Sequence, residues 1–230
     1  MARPYIRRAL KRAGAAPQPR TITAGATTGR IPPPRIFFDG ETGDAGPADL
    51  AALFGHAGSV ELEIGTGKGR FLLEAAAAFP DRNWLGLEME PDFCAFVRLR
   101  AARRGLWNVR VEPLDGREFV IRRLAPASIA ALHVYFPDPW PKKRHRKRRL
   151  FTPEFAAAAA RAIAPGGLLR VASDHTDYWR DIEKILEAEP LLVRLAPEET
   201  GPWSSGTHYE RKFAASGRPV FQAAFCRRDR

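Results

Sequence analysis

Glu63-Ile64-Gly65-Thr66-Gly67-Lys68-Gly69 is the stretch that decides the fold of this 230-residue chain. It follows the apolar run Val60 to Ile64 and opens into Phe71 to Phe79, whose spacing is helical. A glycine-rich turn between a strand and a helix is where a ligand site belongs in an open parallel sheet. Outward from it the alternation continues. Trp84 to Leu87 precedes the helical pattern Pro91 to Arg104, and Val109 to Leu114 precedes Arg117 to Leu124. Ala131 to Phe136 reads as a buried strand, Thr152 to Ala164 as a helix, Leu168 to Ala172 as a strand and Asp177 to Ala188 as a helix. Pro91 and Pro153 fall where a first helical turn tolerates proline, Thr152 can cap, and Gly105 and Gly166 are expected just past helix ends. Strands separated by single helices predict parallel pairing with helices on both faces of the sheet. No helix pattern follows Leu191. Leu191 to Leu195 and Val220 to Phe225 read as two late strands that close the sheet antiparallel.

The charge of the chain is local. Its net +11 is exceeded by two segments alone: residues 1–35 hold eight Lys/Arg and no acid, and Lys142 to Arg149 holds seven, which leaves −4 for the remainder. A mildly acidic body with two concentrated basic segments fits a polyanionic partner, most often nucleic acid, against the plainer reading of a solvated tail and loop. Residues 13–35 combine Pro, Gly, Thr and Ala without hydrophobic period, so residues 1–35 read as a disordered tail and 36–230 as the folded domain. Apolar stretches such as Leu72 to Phe79 are far short of the roughly 20 residues of a membrane helix, and no signal segment opens the chain, which predicts a cytoplasmic protein. Cys94 and Cys226 have no disulfide or zinc spacing and read as packed or surface thiols, and no metal is expected.

The spacing of Gly65, Gly67 and Gly69 matches neither the phosphate loop nor the dinucleotide pattern. These glycines let the backbone approach a ligand, and Glu63 selects against a pyrophosphate and for an amino group or sulfonium. Glu88 ends the next strand, where an acid accepts both hydroxyls of a ribose, with Glu90 the competing position. Asp115 ends the third, placed for the exocyclic amine of an adenine. Ammonium, ribose and adenine together describe S-adenosylmethionine. Taken singly, each feature also reads as a tight turn or a helix cap.

The fourth strand ends in Tyr135-Phe136-Pro137-Asp138-Pro139-Trp140-Pro141-Lys142. Aromatic-Pro-Asp-Pro-Trp followed by a Lys/Arg/His run resembles the tRNA (guanine-N7)-methyltransferase family, as do Leu62 to Gly65, Gly86 to Glu88, Ala172-Ser173-Asp174 and the late Thr207-His208-Tyr209-Glu210. The resemblance implies a Rossmann-like α/β fold of seven strands, mostly parallel with the last antiparallel. It also implies S-adenosylmethionine as donor and a guanosine of the tRNA variable loop as acceptor. Residue by residue it implies cofactor contacts at Glu63, Glu88, Asp115 and Asp138. Substrate contacts are implied at Lys142, Asp174, Thr207, His208, Tyr209 and Glu210. Residues 1–35 match none of its pattern.

The chemistry can be argued from the residues. Guanine N7 carries a free lone pair at neutral pH, so methyl transfer needs positioning and electrostatics rather than a base. Carboxylates near the purine, Asp138 and Asp174, favour the positive charge that develops, and a carboxylate also accepts the N1–H and N2–H donors of guanine. Prolines on both sides hold Asp138 in place, which makes it the candidate catalytic residue. Lys142 to Arg149 reads as a phosphate-binding loop. Trp140 either stacks on a base or packs against the sheet, with packing favoured. Trp203 and Tyr209, in a polar stretch, suit a loop that orders on substrate. The alternatives are a methyltransferase of another RNA or a protein, and a non-catalytic RNA-binding protein. The sequence leaves monomer or homodimer open.

Overall fold

The structure, a computed structural model, describes residues 46–200 and 219–229; the boundary expected near Ile36 and the Thr207 to Glu210 segment lie outside them. Seven strands form one sheet: β1 (Val60–Ile64), β2 (Asn83–Leu87), β3 (Val109–Glu112), β4 (Ile129–Tyr135), β5 (Ile163–Ser173), β6 (Leu192–Arg194) and β7 (Phe221–Arg227). Their order across the sheet is β3-β2-β1-β4-β5-β7-β6. β1 to β5 pair in parallel, and β7 is inserted antiparallel between β5 and β6. The helices are α1 (Leu50–Phe54), α2 (Arg70–Ala78), α3 (Pro91–Arg103), α4 (Gly116–Arg122), α5 (Pro153–Ala162), α6 (Thr176–Glu187) and α7 (Pro197–Thr200), with a 3₁₀ helix at Lys143–Arg148.

The alternation of strand side chains divides the core in two. Leu62, Leu85, Leu132, Leu169 and Phe225 pack with residues of α1, α4, α5 and α6, among them Phe54, Phe119, Phe155, Tyr178 and Ile182. On the opposite face Trp84, Val109 and Val111 pack with Leu72 and Leu73 of α2 and Cys94 and Val97 of α3. Each fully buried leucine here stabilises by about 1.5 to 3 kcal/mol relative to exposure. Both cysteines are buried. The caps agree with the sequence: Thr152 Oγ1 accepts the Phe155 N–H at 3.2 Å, and Pro91 and Pro153 begin their helices.

Three expectations need correction. β5 begins at Ile163, directly after α5, so Gly166 lies within the strand rather than past a helix end. There β4 advances two residues, from Ile129 to Ala131, while β5 advances five, from Ile163 to Leu168. Gly167 sits in this bulge because a Cβ would lie 2.4 Å from the Ala130 carbonyl oxygen. The run expected as a loop at Lys142 to Arg149 is mostly 3₁₀ helix. α1 and α7 were not expected, since helices of five and four residues are too short to show a period. No helix among the described residues is long and apolar enough to cross a membrane.

Candidate active site

The sheet order brings five strand ends into line. Asp115, Glu88, Glu63, Asp138 and Asp174 lie at or just past the carboxyl ends of β3, β2, β1, β4 and β5, which are neighbours in that sequence. Strand order reverses between β1 and β4, the position at which open α/β sheets form a ligand crevice. Glu63 and the Asp138 loop therefore flank the crevice from adjacent strands.

The glycine loop is built against β2. Gly65 N–H donates to the Leu87 carbonyl at 2.8 Å, and Gly67 N–H to Glu88 Oε2 at 2.7 Å. Gly65 and Gly67 have φ of +74° and +50°, a backbone that side chains resist, and a Cβ at either would meet nothing within 4 Å. The loop is thus open toward the crevice. Glu88 Oε1 accepts the Glu90 N–H at 3.1 Å, so the carboxylate directed at the loop is that of Glu88, while Glu90 is the exposed residue preceding α3 and caps nothing with its side chain.

Glu63 is 3% exposed, and its Oε2 is buried without a hydrogen-bond partner among the described residues. Burial, and then the neighbouring Glu88 charge, push its pKa up to about 8. An orphaned carboxylate oxygen beside an open glycine loop fits a ligand that brings its own positive charge, as an ammonium does. The hydroxyl of Thr66 is likewise buried and unpartnered. Asp115 is exposed and serves α4 as its cap: Oδ1 accepts the N–H groups of Arg117 at 2.8 Å and Glu118 at 3.3 Å. The helix-cap reading of this residue therefore holds whatever else its second oxygen does. Among the described residues no cluster of His, Cys, Asp and Glu is arranged to hold a metal ion.

Asp138 is exposed on a loop with unusual ends. Phe136 and Trp140 have φ of +54° and +41°, rare for bulky side chains and costly by about 1 to 3 kcal/mol each. Phe136 N–H is fixed to the Ala172 carbonyl of β5 at 2.8 Å. Trp140 belongs to none of the hydrophobic clusters; its ring lies under the Arg148 guanidinium at 5.0 Å and edge-on to His145 at 5.9 Å, so it packs beneath the basic helix and not on the sheet. Lys142, Lys143, Arg144, Arg146, Lys147 and Arg148 are exposed, as phosphate contacts require, whereas Arg149 is turned inward and buried. Asp174 is half-buried, between β5 and the His175 cap of α6.

Sequence reasoning missed a buried polar network on the face of the sheet where Phe71 of α2 packs. Glu61 bonds Arg82 at 2.5 Å and His133 at 2.8 Å, and His133 bonds Tyr135 at 2.9 Å. Glu61, Arg82 and His133 border a cavity of about 500 Å³ that also touches Ser59, Gly167 and Arg170. The cavity is roomy, but the groups that would give Glu61 and His133 a chemical role are already spent on each other. A signal was present, because the period of two places Glu61 on the same face as Glu63.

Residues 57–223 match the family described as putative methyltransferase. A tRNA (guanine-N(7)-)-methyltransferase of Alkalilimnicola ehrlichii is 38% identical over 186 residues, 80% of this chain and 78% of that protein. The protein of the same name from Nitrosococcus oceani is 36% identical over 229 residues, 95% of this chain and 96% of its own. In three dimensions the 16S rRNA methyltransferase KamB superposes with a TM-score of 0.51 at 18% identity, over 74% of this chain and 88% of that one, a likeness of fold alone. With relatives this similar along most of their length, the chain belongs to the tRNA (guanine-N7)-methyltransferase family.

Proposed function

We propose that this chain transfers a methyl group from S-adenosylmethionine to N7 of a guanosine in the variable loop of tRNA. The observation that carries the reading is an adjacency. The loop holding Asp138 springs from the strand beside the one bearing the orphaned Glu63 carboxylate, and it continues directly into the exposed basic helix. Donor site, acceptor site and phosphate-binding surface thus follow one another along a short piece of chain.

S-adenosylmethionine supplies, when bound, an electrophilic methyl on a sulfonium. Glu63 would hold its ammonium, Gly65 and Gly67 let the backbone come near, Glu88 would take the ribose hydroxyls and Asp115 the adenine amine. Guanine N7 is already nucleophilic, so the residues orient rather than deprotonate. Asp138 is the group that favours the positive charge arriving on the purine, with Asp174 facing the same acceptor from β5. Lys142 and the Thr207, His208, Tyr209 and Glu210 segment complete the acceptor contacts in this reading, and the basic helix grips the tRNA backbone. Residues 36–230 form the catalytic domain, preceded by the basic residues 1–35, and the enzyme works in the cytoplasm as a monomer or homodimer.

Nucleoside analysis of unmodified tRNA after reaction tests the proposal. Wild type should form 7-methylguanosine, and Asp138→Asn should do so about 10²-fold more slowly, the size of one lost electrostatic group. A variant within threefold of wild type removes Asp138 from the mechanism; methyl groups found only on another RNA or on protein replace the substrate. Alanine at Lys143, Arg144, Arg146 and Lys147 should weaken tRNA binding and flatten its salt dependence, each lost phosphate contact taking about 0.7 to 0.9 from the log–log slope.

A further inference from the structure

Arg149 ends the basic run but shares none of its exposure, with only 5% of its side chain open to solvent. Its guanidinium is used in three directions. Nε donates to the Pro139 carbonyl at 2.8 Å, Nη1 donates to Asp181 Oδ2 of α6, and the flat face lies over the Tyr178 ring at 4.6 Å. Tyr178 is itself fixed, since its hydroxyl accepts the Phe151 N–H at 3.2 Å. Pro139 follows Asp138 directly, so holding its carbonyl holds the peptide next to the carboxylate. The loop needs such a tie. It carries left-handed aromatic residues at both ends, with the Phe136 N–H held on β5 and the Trp140 ring held under Arg148.

From this geometry we infer that Arg149 is a positioning residue for the methyl transfer, with Asp181 orienting its guanidinium, and not one of the RNA phosphate contacts. The inference rests on the proposed role of Asp138. The tie has a second end with meaning: α6 begins immediately after Asp174 and His175, so Arg149 joins the loop of Asp138 to the helix that starts at the other candidate substrate carboxylate. The two carboxylates are thereby held in one frame. Lysine cannot replace this arrangement, because a single ammonium has neither the divergent planar donors nor a face to lay on Tyr178. The salt bridge to the half-exposed Asp181 is weak as a stabiliser, and its use is directional.

The test uses the full chain with unmodified tRNA and S-adenosylmethionine, reading kcat, KM for tRNA, cofactor Kd and Tm for Arg149→Lys, Asp181→Asn, the double variant and Arg146→Ala. Arg149→Lys should lower kcat by about 10- to 10²-fold, the scale of a small misplacement at a reacting centre, with KM within threefold and cofactor Kd within twofold. Asp181→Asn should lower kcat less, and the double variant should be no slower than Arg149→Lys. Arg146→Ala, an exposed member of the run, should instead raise KM. The inference is overturned if Arg149→Lys keeps its kcat, or if its loss lies in KM, which would make Arg149 one more phosphate contact. If Arg149→Lys does not fold, Asp181→Asn decides, and an unchanged kcat there overturns the inference. Loss of activity in Asp138→Asn alongside a normal Arg149→Lys would discard the clamp and leave the proposed function standing; no 7-methylguanosine from wild type would discard that function itself.

Discussion

Glu61 and Glu63 stand two residues apart on β1, on the same face, and both are buried. Their surroundings differ in kind. Around Glu61 burial raises the pKa, but the hydrogen bond from His133 and the charge and hydrogen bond of the Arg82 guanidinium outweigh it, and the net shift is downward. His133 is in turn held neutral, burial lowering its pKa more than Glu61 restores it. The consistent arrangement is a carboxylate accepting from Nε2–H of a neutral imidazole, whose Nδ1 accepts from Tyr135. Glu63 has no such cation among the described residues; burial and the Glu88 carboxylate outweigh its backbone hydrogen bond with Leu72, and its pKa rises to about 8. A buried acid whose balancing cation comes from its own chain belongs to the scaffold, whereas one without it is fitted to a charge brought from outside.

The sharpest way to break this contrast is Glu61→Ala. Its loss breaks a largely buried ion pair with Arg82 and strips the buried His133 Nε2–H of its acceptor, and stability should fall by about 3 to 5 kcal/mol in chemical denaturation. Glu63→Gln should do the reverse: cofactor affinity, read by calorimetry, weakens by about 1.5 to 3 kcal/mol while the melting temperature of the free protein does not drop. Glu88→Ala should weaken the same affinity by a similar amount, since its carboxylate also holds the Gly67 N–H.

A smaller effect distinguishes the two acids by the sign of their pH dependence. The native state keeps a proton on Glu63 between its unfolded pKa near 4.5 and about 8, so this group's contribution is complete below 4.5 and is lost as pH rises toward 8 and beyond. Glu61, shifted down, contributes above its unfolded pKa and loses that contribution as pH falls. Denaturation of the free protein from pH 5 to 9 should show a decline with pH that Glu63→Gln removes; an identical slope in both proteins would refute the assignment. The smallest change is Glu90→Ala, which should leave cofactor affinity within about 0.5 kcal/mol.

The sheet and the row of strand-end acids were legible because they depend on local period: two for strands, 3.6 for helices, with glycine or proline between. Pairing was not. Glu61 and Glu63 look alike in Val-Glu-Leu-Glu-Ile, and what separates them arrives from Arg82 and His133, 21 and 72 residues away. Asp115 was readable as a cap or as a ligand contact, and its two N–H bonds establish the cap. In Lys142 to Arg149 charge treats all eight residues as one surface, while the 3₁₀ helix and the turn after it point Arg149 inward. Trp140 went astray for a related reason. Its left-handed backbone places the ring under Arg148 and not against the sheet.

The insertion of β7 between β5 and β6 also constrains how the chain assembles. Its pairing joins Ser173 to Phe221, and among the described residues β6 joins the sheet through β7, so this side of the sheet cannot close until residues far along the chain have arrived. Contacts of such separation are slow to form. β1 to β2, β2 to β3 and β4 to β5 are parallel pairs each bridged by one helix, and β4 returns to pair with β1, while the last two strands come from the end of the chain. Until β7 arrives, the backbone of β5 is an unpaired edge, the kind of feature through which a nascent chain pairs with another and aggregates.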